Sequence, residues 1–537
     1  MASAAKHLLW LALLCLGVQW LIASRTVVPA QDAVRLVQMA REMQESGWWA
    51  TVIERHESPV FPTHVWLLHL MLYGRTAWPP ADSWAATVQL ASLWPLLLGL
   101  IPLYFIMRKC FSPRVAILAG LFYCVMPVLA QLGADGLADS THLLLFLLAV
   151  WASIQYLDRK QHDAPAWQAI SWMMLSGICL SLAVLTKLES LVLVPTLLGV
   201  MCWQNQAALL NKSWGGWLKL GQELAALLAG LLICWMPYWL ATHEWSSRHA
   251  GAFFQASPIK NSNTARTSPK LSTNKLTFPA KEKTISKRRF GYVSALGELS
   301  QELPQAACYW IGLLALLGAW KGSACRVPGV HLLKGLFIAL FLLSIIHFSA
   351  KAGYMAERHL LLPVVLGLGW AGQGVEICGT EIARRLSRWS LQPNFGMGVV
   401  ALIAVLACLP IISRTSHRTR AGHYAAGKWL AQRVQPQDVV LDTRLWTSLY
   451  SGCQTYGYEW AKAAFENPNL RYVVVEQLEL DLDSPRSRSL RYMLEQNAHQ
   501  VVKFPSTSTG HLEQQPAEDA RHDVVVFQWN SGQRKAW

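Results

Sequence analysis

The chain has 537 residues, 53% hydrophobic and only 15% charged, where a soluble domain carries about 25% charged residues. That balance excludes a disordered chain, a disulfide-stapled mini-protein and a typical soluble enzyme, and the mean hydropathy of +0.26 agrees. The 26 Trp fit membrane–water interfaces, and the excess of 47 Lys+Arg over 32 Asp+Glu reads as loops near anionic headgroups rather than as a nucleic-acid footprint.

A bilayer-crossing helix needs about 20 mostly apolar residues. Such windows fall at 8–24, 84–107, 114–131, 139–157, 169–187, 189–203, 221–242, 305–320, 331–349, 358–377 and 397–413, which predicts a polytopic α-helical membrane protein of about eleven spans. The first window follows Lys6 and lacks a good cleavage site at Ala23-Ser24-Arg25, so it reads as an anchor. The two spans flanking Thr186-Lys187-Leu188-Glu189 are expected to form a tight hairpin. With a cytoplasmic N-terminus every short cytoplasmic loop is basic: Arg108, Lys109 and Arg114, then Arg159 and Lys160, Lys212 and Lys219, Lys321 and Arg326, and finally Arg384, Arg385 and Arg388. Three regions then face outward: 25–83, a Ser/Thr/Lys-rich loop at 243–304, and the tail 414–537. The membrane part is 1–413.

In the tail, 421–434 and 486–498 read as helices, and 438–442, 471–475 and 523–528 as short β-branched strands. Together they predict a small α/β domain outside the membrane. It carries no phosphate loop, GxGxxG, HExxH or GxSxG. Eleven Cys are scattered, mostly in apolar runs, without a CxxC or Cys/His cluster, so neither a disulfide framework nor a structural zinc is expected.

Four clusters of chemistry-bearing residues lie on the outer face in this frame. Asp32 opens 29–41, whose apolar residues at 33, 34, 36, 37, 39 and 40 predict an amphipathic helix lying along the membrane surface. Its structural reading is a helix-start acid favoured by the dipole. Arg55-His56-Glu57-Ser58-Pro59 with Pro62 forms a turn in which His56 is either a site residue or a surface histidine. Asp135 and Asp139, four apart, precede an apolar run, and an ionisable group at a span's edge is a functional candidate. Tyr354 and Arg358 lie in Lys351–Pro363. A cation at an outer helix start breaks two mild rules at once and points to a bound anion, with snorkelling as the alternative. Lys187 and Glu189 join two spans, either as a local ion pair or as part of a site.

Taken in order, Asp32, His56-Glu-Ser-Pro59, Asp139, Leu185-Thr-Lys187-Leu-Glu189 and Arg358-His-Leu-Leu-Leu-Pro363 resemble the GT-C superfamily of membrane glycosyltransferases over about residues 1–413. The nearest group is glycosyltransferase family 39, the protein O-mannosyltransferases and aminoarabinose-transferase-like enzymes. This chain departs from the pattern in having Ala33 after Asp32, His359 after Arg358, and Lys187 where Arg is common. The resemblance implies transfer, with inversion, of a sugar from a polyprenyl-phosphate donor to a protein, lipid or glycan acceptor on the outer face of a bacterial inner membrane. It makes Asp32 the general base. Arg358 and Lys187 neutralise the leaving phosphate, His56, Glu189 and Tyr354 bind substrate, and Asp139 orients the acceptor. The resemblance fixes no cofactor. Some members use a divalent cation, Mg or Mn, for which Asp32 and Asp139 are the candidate ligands. The competing readings are a transporter or flippase for an anionic or lipid-linked substrate, and an inactive relative. The charges sit at outer span ends rather than at mid-bilayer, which speaks against a transporter.

Overall fold

In the computed structural model the described residues are 2–54, 60, 66, 83–162, 165–206, 210–211, 214–242, 291–321, 327–386, 392–414, 417–506 and 519–530. The first apolar run is α1 (Ala2–Ala23), followed by α2 (Gln31–Ser46) and α3 (Trp48–Glu54). Next come α4 (Ser83–Cys110), α5 (Pro113–Val125), α6 (Pro127–Ala134), α7 (Asp139–Gln161), α8 (Ala166–Thr186), α9 (Leu193–Gln204) and α10 (Trp214–Thr242). After these come α11 (Tyr292–Ala306), α12 (Trp310–Lys321), α13 (Pro328–Ala352), α14 (Leu361–Arg385) and α15 (Pro393–Ile412).

Among the described residues, 8 helices are long and apolar enough to cross a membrane, or up to 10 if each of two bent pairs is one span. The protein is therefore a multi-pass membrane protein, and three of the expected spans need revision. The 114–131 span is broken into α5 and α6, bent by 52°. Pro127 lacks an N–H and forces Met126 into an extended conformation (ψ 123°). The 305–320 window holds the 12-residue α12, which is long and apolar enough to cross only together with α11; α11 precedes it at a 98° bend and occupies part of what composition suggested was loop. The 189–203 window starts as a 3₁₀ turn, Leu188–Val192, and continues as the 12-residue α9, about 18 Å at 1.5 Å per residue, too short for a full crossing. Nor is it half of a packed hairpin: α8 lies against α7 and α10, while α9 lies against α13.

With no hydrophobic force between helices in lipid, close packing holds the bundle, and small residues permit it. A Cβ on Gly177 of α8 would run into the backbone of Leu227 and Gly230 on α10. One on Gly374 of α14 would run into the backbone of Leu314 on α12. Buried Phe122, Phe146, Phe337 and Phe341 fill the centre between α5, α7 and α13.

The C-terminal region contains α16 (Ala421–Ala431), β1 (Val439–Asp442), α17 (Ser448–Ser451), β2 (Gln454–Tyr456), α18 (Ala461–Glu466) and β3 (Leu470–Glu476). It continues through α19 (Gln477–Asp481), α20 (Pro485–Asn497), β4 (Ala498–Phe504) and β5 (Val524–Trp529). The sheet order is β2-β1-β3-β5-β4, with β1 parallel to β2 and β3, and β5 antiparallel to β3 and β4. Side chains alternate between its faces. Val439, Leu441, Val473 and Val475 pack with Phe465, Leu490 and Leu494, whereas Val440, Tyr472 and Val474 pack with Leu430. Cover on both faces is why β1 and β3 read as unbroken Val/Leu runs.

This region is joined to the membrane part through α2. Ala33, Val34, Leu36, Val37 and Ala40 are buried against Trp84, Val88 and Ala91 of α4 and against Leu445, Trp446, Leu449 and Tyr450. The amphipathic helix expected along the membrane surface thus lays its apolar face on protein.

Candidate active site

Asp32 stands in the first turn of α2, as its position after Pro29 predicts. The start of this helix is tied down on two sides. The Ala30 N–H donates to the Asp135 carbonyl at 3.1 Å, and the Arg420 guanidinium donates to the carbonyls of Val28 (3.2 Å) and Pro29 (3.0 Å). Arg358 comes from the other end of the chain. α13 stops at Gly353, whose φ of 79° ends the helix. The chain then runs extended into a 3₁₀ turn, Glu357–Leu360, that leads into α14. Its Nη1 donates to Asp32 Oδ2 at 2.9 Å, joining two groups 326 residues apart. The pair is wet, with Arg358 34% and Asp32 52% exposed.

A second, dry pair lies beside it. Asp139 opens α7 and is buried. Lys187, in the extended break after α8 (φ −152°), donates its Nζ to Asp139 Oδ1 at 2.5 Å. Glu189, partly buried on the following 3₁₀ turn, feels the charges of Lys187, Asp139 and Arg358. Arg358 also interacts electrostatically with Asp139, so the two pairs form one cluster. One turn into α7, His142 Nε2 shares a 2.6 Å hydrogen bond with Ser190 Oγ, pinning the 3₁₀ turn to α7. Tyr354 is 52% exposed at the edge of this cluster, its ring against those of Phe348 and His359 at 5.9 Å and 5.7 Å. Five of the seven sequence candidates (Asp32, Asp139, Lys187, Glu189 and Arg358) therefore converge, with Tyr354 beside them. His56 lies outside the described residues.

The two carboxylates proposed as cation ligands are each engaged by a basic side chain, and no group of three or more His, Cys, Asp or Glu among the described residues is arranged to hold a metal. The arrangement instead presents a partly exposed cation: Arg358 is hydrogen-bonded to the wet Asp32 carboxylate and also feels the charge of buried Asp139.

Sequence reasoning missed the C-terminal region's part in the site. His417 Nε2 donates to Asp135 Oδ1 at 2.7 Å. Arg41, on α2, donates to the Ser448 carbonyl at 3.2 Å and lies over the Trp84 ring at 5.0 Å. Burial lowers the basicity of both Arg41 and Arg420. Lone basic residues in an unassigned tail carry no signal of such roles; only the fold reveals them. Elsewhere, the far ends of the helices are locked by Lys109–Asp158 at 2.7 Å and Lys160–Glu223 at 2.6 Å, so the bundle has two charged ends, of which one holds the cluster and the tail.

The membrane helices with the C-terminal sheet make a GT-C-type fold. It is similar to the crystal structure of ArnT from Cupriavidus metallidurans in the apo state, with a TM-score of 0.59 and 16% identity, covering 98% of each chain. It is similar also to ArnT of the same organism bound to undecaprenyl phosphate, with a TM-score of 0.58, 16% identity and 97% of each chain covered. Residues 62–242 match the family described as dolichyl-phosphate-mannose-protein mannosyltransferase. No curated protein matches the chain by sequence.

Proposed function

We propose that the protein is an integral-membrane glycosyltransferase that takes a sugar from a polyprenyl-phosphate donor and passes it to an acceptor hydroxyl on the face that carries the C-terminal region. The fold, the family match over 62–242 and the undecaprenyl phosphate held by one structural neighbour support the class. The observation that carries the reading on this chain is the wet Arg358–Asp32 pair set against the dry Lys187–Asp139 pair.

In this reading the donor phosphate replaces Asp32 on Arg358. The guanidinium, at the N-terminal end of α14, then faces the charge that develops on the leaving phosphate. The same exchange releases the Asp32 carboxylate to accept the acceptor's proton as attack on the anomeric carbon proceeds. Lys187 stays on Asp139 and holds the floor of the site, with Glu189 and Tyr354 at its edge for the sugar or acceptor. The face is the outer one, and the membrane is the cell's inner membrane, as the basic loops at the other end suggest. The residues in hand fit a phosphate better than a divalent cation, and Mg or Mn is not required by any of these steps.

A transporter reading is disfavoured because the ionisable cluster sits at the helix ends, not at mid-bilayer. The test is transfer of labelled sugar from polyprenyl-phosphate donors by protein in lipid nanodiscs, wild type beside Asp32→Asn and Arg358→Ala. Turnover in wild type and its loss in both variants is expected. Turnover that survives in both would overturn the assignment.

A further inference from the structure

Two cysteines outside the proposed chemistry are brought together at a strained break in the membrane part. Cys308 and Tyr309 sit in the break between α11 and α12 with φ of 51° and 36°, adjacent non-glycine residues in the left-handed region. The break turns the chain by 98°. It is held from inside by the Tyr309 N–H on the Pro304 carbonyl at 2.7 Å and the Cys308 N–H on the Gln305 carbonyl at 2.9 Å. From the opposite side comes Cys408, near the end of α15. Its Sγ lies 3.2 Å from Cys308 Sγ, and both thiols are buried. A disulfide bond is about 2.05 Å long, so the two sulfurs need to close by only about 1 Å.

Position gives the pair its consequence. α11 packs on α13 and on the 3₁₀ turn Glu357–Leu360, which carries Arg358. α15 runs on to Ser413, whose carbonyl accepts a hydrogen bond from Arg25 just before α2. The pair thus lies at the site end of the bundle, behind the turn that holds Arg358.

We infer that Cys308 and Cys408 form a disulfide that fixes the α11–α12 break and braces the Arg358 turn. This goes against the expectation from sequence, where two thiols 100 residues apart in apolar runs carried no pairing signal. The bond is made by exchange with an oxidised dithiol carrier on the site side before the helices close over it. One cysteine thiolate attacks the carrier disulfide to give a mixed disulfide, and the second displaces the carrier. Two S–H bonds are lost and one S–S bond forms in the protein, while the carrier's S–S bond breaks and takes up the two electrons and two protons to become its dithiol. Once the helices pack, burial shields the bond from reductant.

The inference rests on the outward placement of the site face, so the experiment separates the two. Full-length protein in its own membranes is denatured in excess maleimide, digested and weighed with and without reduction. The peptides containing Cys308 and Cys408 are expected joined and unlabelled before reduction, and both labelled after it. Both carrying label without reduction overturns the inference. In parallel, Arg488→Cys on α20, a 62% exposed position, is treated in intact cells with a membrane-impermeant maleimide. Labelling there with no joined peptide overturns the disulfide alone; no labelling and no joined peptide overturns sidedness and disulfide together. As a second readout, reductant added during a thermal melt is expected to lower the midpoint of wild type and to leave Cys308→Ala/Cys408→Ala unmoved. An equal response of the two proteins would refute a covalent tie.

Discussion

Asp32→Asn and Asp139→Asn remove one carboxylate charge each, from neighbouring ion pairs, yet the structure predicts opposite orders of damage. The Arg358–Asp32 pair is 34% and 52% exposed, and solvent-exposed pairs of this kind contribute about 0–1 kcal/mol to stability. Asp139 is 5% exposed and Lys187 24%, so Asn at 139 strands a largely buried ammonium at a span's edge. Breaking a buried pair from one side costs about 3–5 kcal/mol. Glu189 stands close enough to share the load, which places the expected loss near about 3 kcal/mol.

Activity should follow the reverse logic. Removing a general base costs roughly 10²–10⁴ in rate, or about 2.7–5.4 kcal/mol at 1.36 kcal/mol per tenfold. Asp32→Asn should therefore fold with a thermal midpoint close to wild type and lose at least a hundredfold in sugar transfer. Asp139→Asn should melt well below wild type, with activity lost in step with folded protein. The assay is a melt of each variant in nanodiscs beside initial rates from a labelled polyprenyl-phosphate sugar. The reasoning is refuted if Asp32→Asn melts as low as Asp139→Asn, or keeps more than about a tenth of wild-type turnover.

Lys334 is buried in α13, its Nζ without a hydrogen-bond partner among the described residues and held over the rings of Phe111 at 4.6 Å and Trp370 at 5.8 Å. Cation–π attraction of about 2 kcal/mol falls short of the roughly 2.5–3.5 kcal/mol cost of a lysine within the membrane, so Lys334→Met should leave the melting midpoint unchanged or raise it. A fall equivalent to more than about 2 kcal/mol would contradict this. Gly374→Val drives side-chain atoms into the backbone of α12 and should cost at least about 1–3 kcal/mol, read as a lowered midpoint, whereas Gly398→Ala, in open space on α15, should be tolerated. In the C-terminal region burial favours the protonated form of Glu476, but hydrogen bonding from His423 and the charges of His423, Arg444 and His522 outweigh it and hold the carboxylate below the usual glutamate range. A depressed carboxylate contributes stability that is present above its unfolded value, near 4.5, and is lost as pH falls through the folded value. Acid should thus loosen this region first in wild type and less steeply in Glu476→Gln, which proteolysis across pH 3–6 would reveal.

Where local pattern decides structure, the sequence was readable. Apolar windows located the helices because a bilayer admits no alternative to a long hydrogen-bonded segment. β1, β3 and β5 were legible as Val-rich runs, since each is buried on both faces. β4 was not, because it is an edge strand with a mixed, half-exposed pattern, and β2 has three residues. Asp32, Asp139, Lys187 and Arg358 were legible as charges out of place at span ends. Their pairing was not, because partners 48 and 326 residues apart are matched only by helix packing. The break at Cys308 was invisible for a different reason: nothing in a run of ordinary residues announces two consecutive left-handed backbones.

The most consequential misreading concerns α2. A helix with one apolar face near a membrane is compatible with lipid on that face or with protein, and the sequence pattern is the same in both cases. Here α4 and the segment Leu445–Tyr450 cover it. A helix floating at the interface could set Asp32 only loosely, whereas productive geometry must be held within about 0.5 Å. Arg420 on the carbonyls of Val28 and Pro29, and Arg41 on that of Ser448, fix the helix at its entrance and along its length. His417 on Asp135 ties the same region to the turn before α7, which carries Asp139. The C-terminal region thereby reaches both acids of the cluster, Asp32 through the carbonyls of Val28 and Pro29 and Asp139 through the Asp135 side chain. Its removal should cost the site its geometry before it costs the bundle its fold.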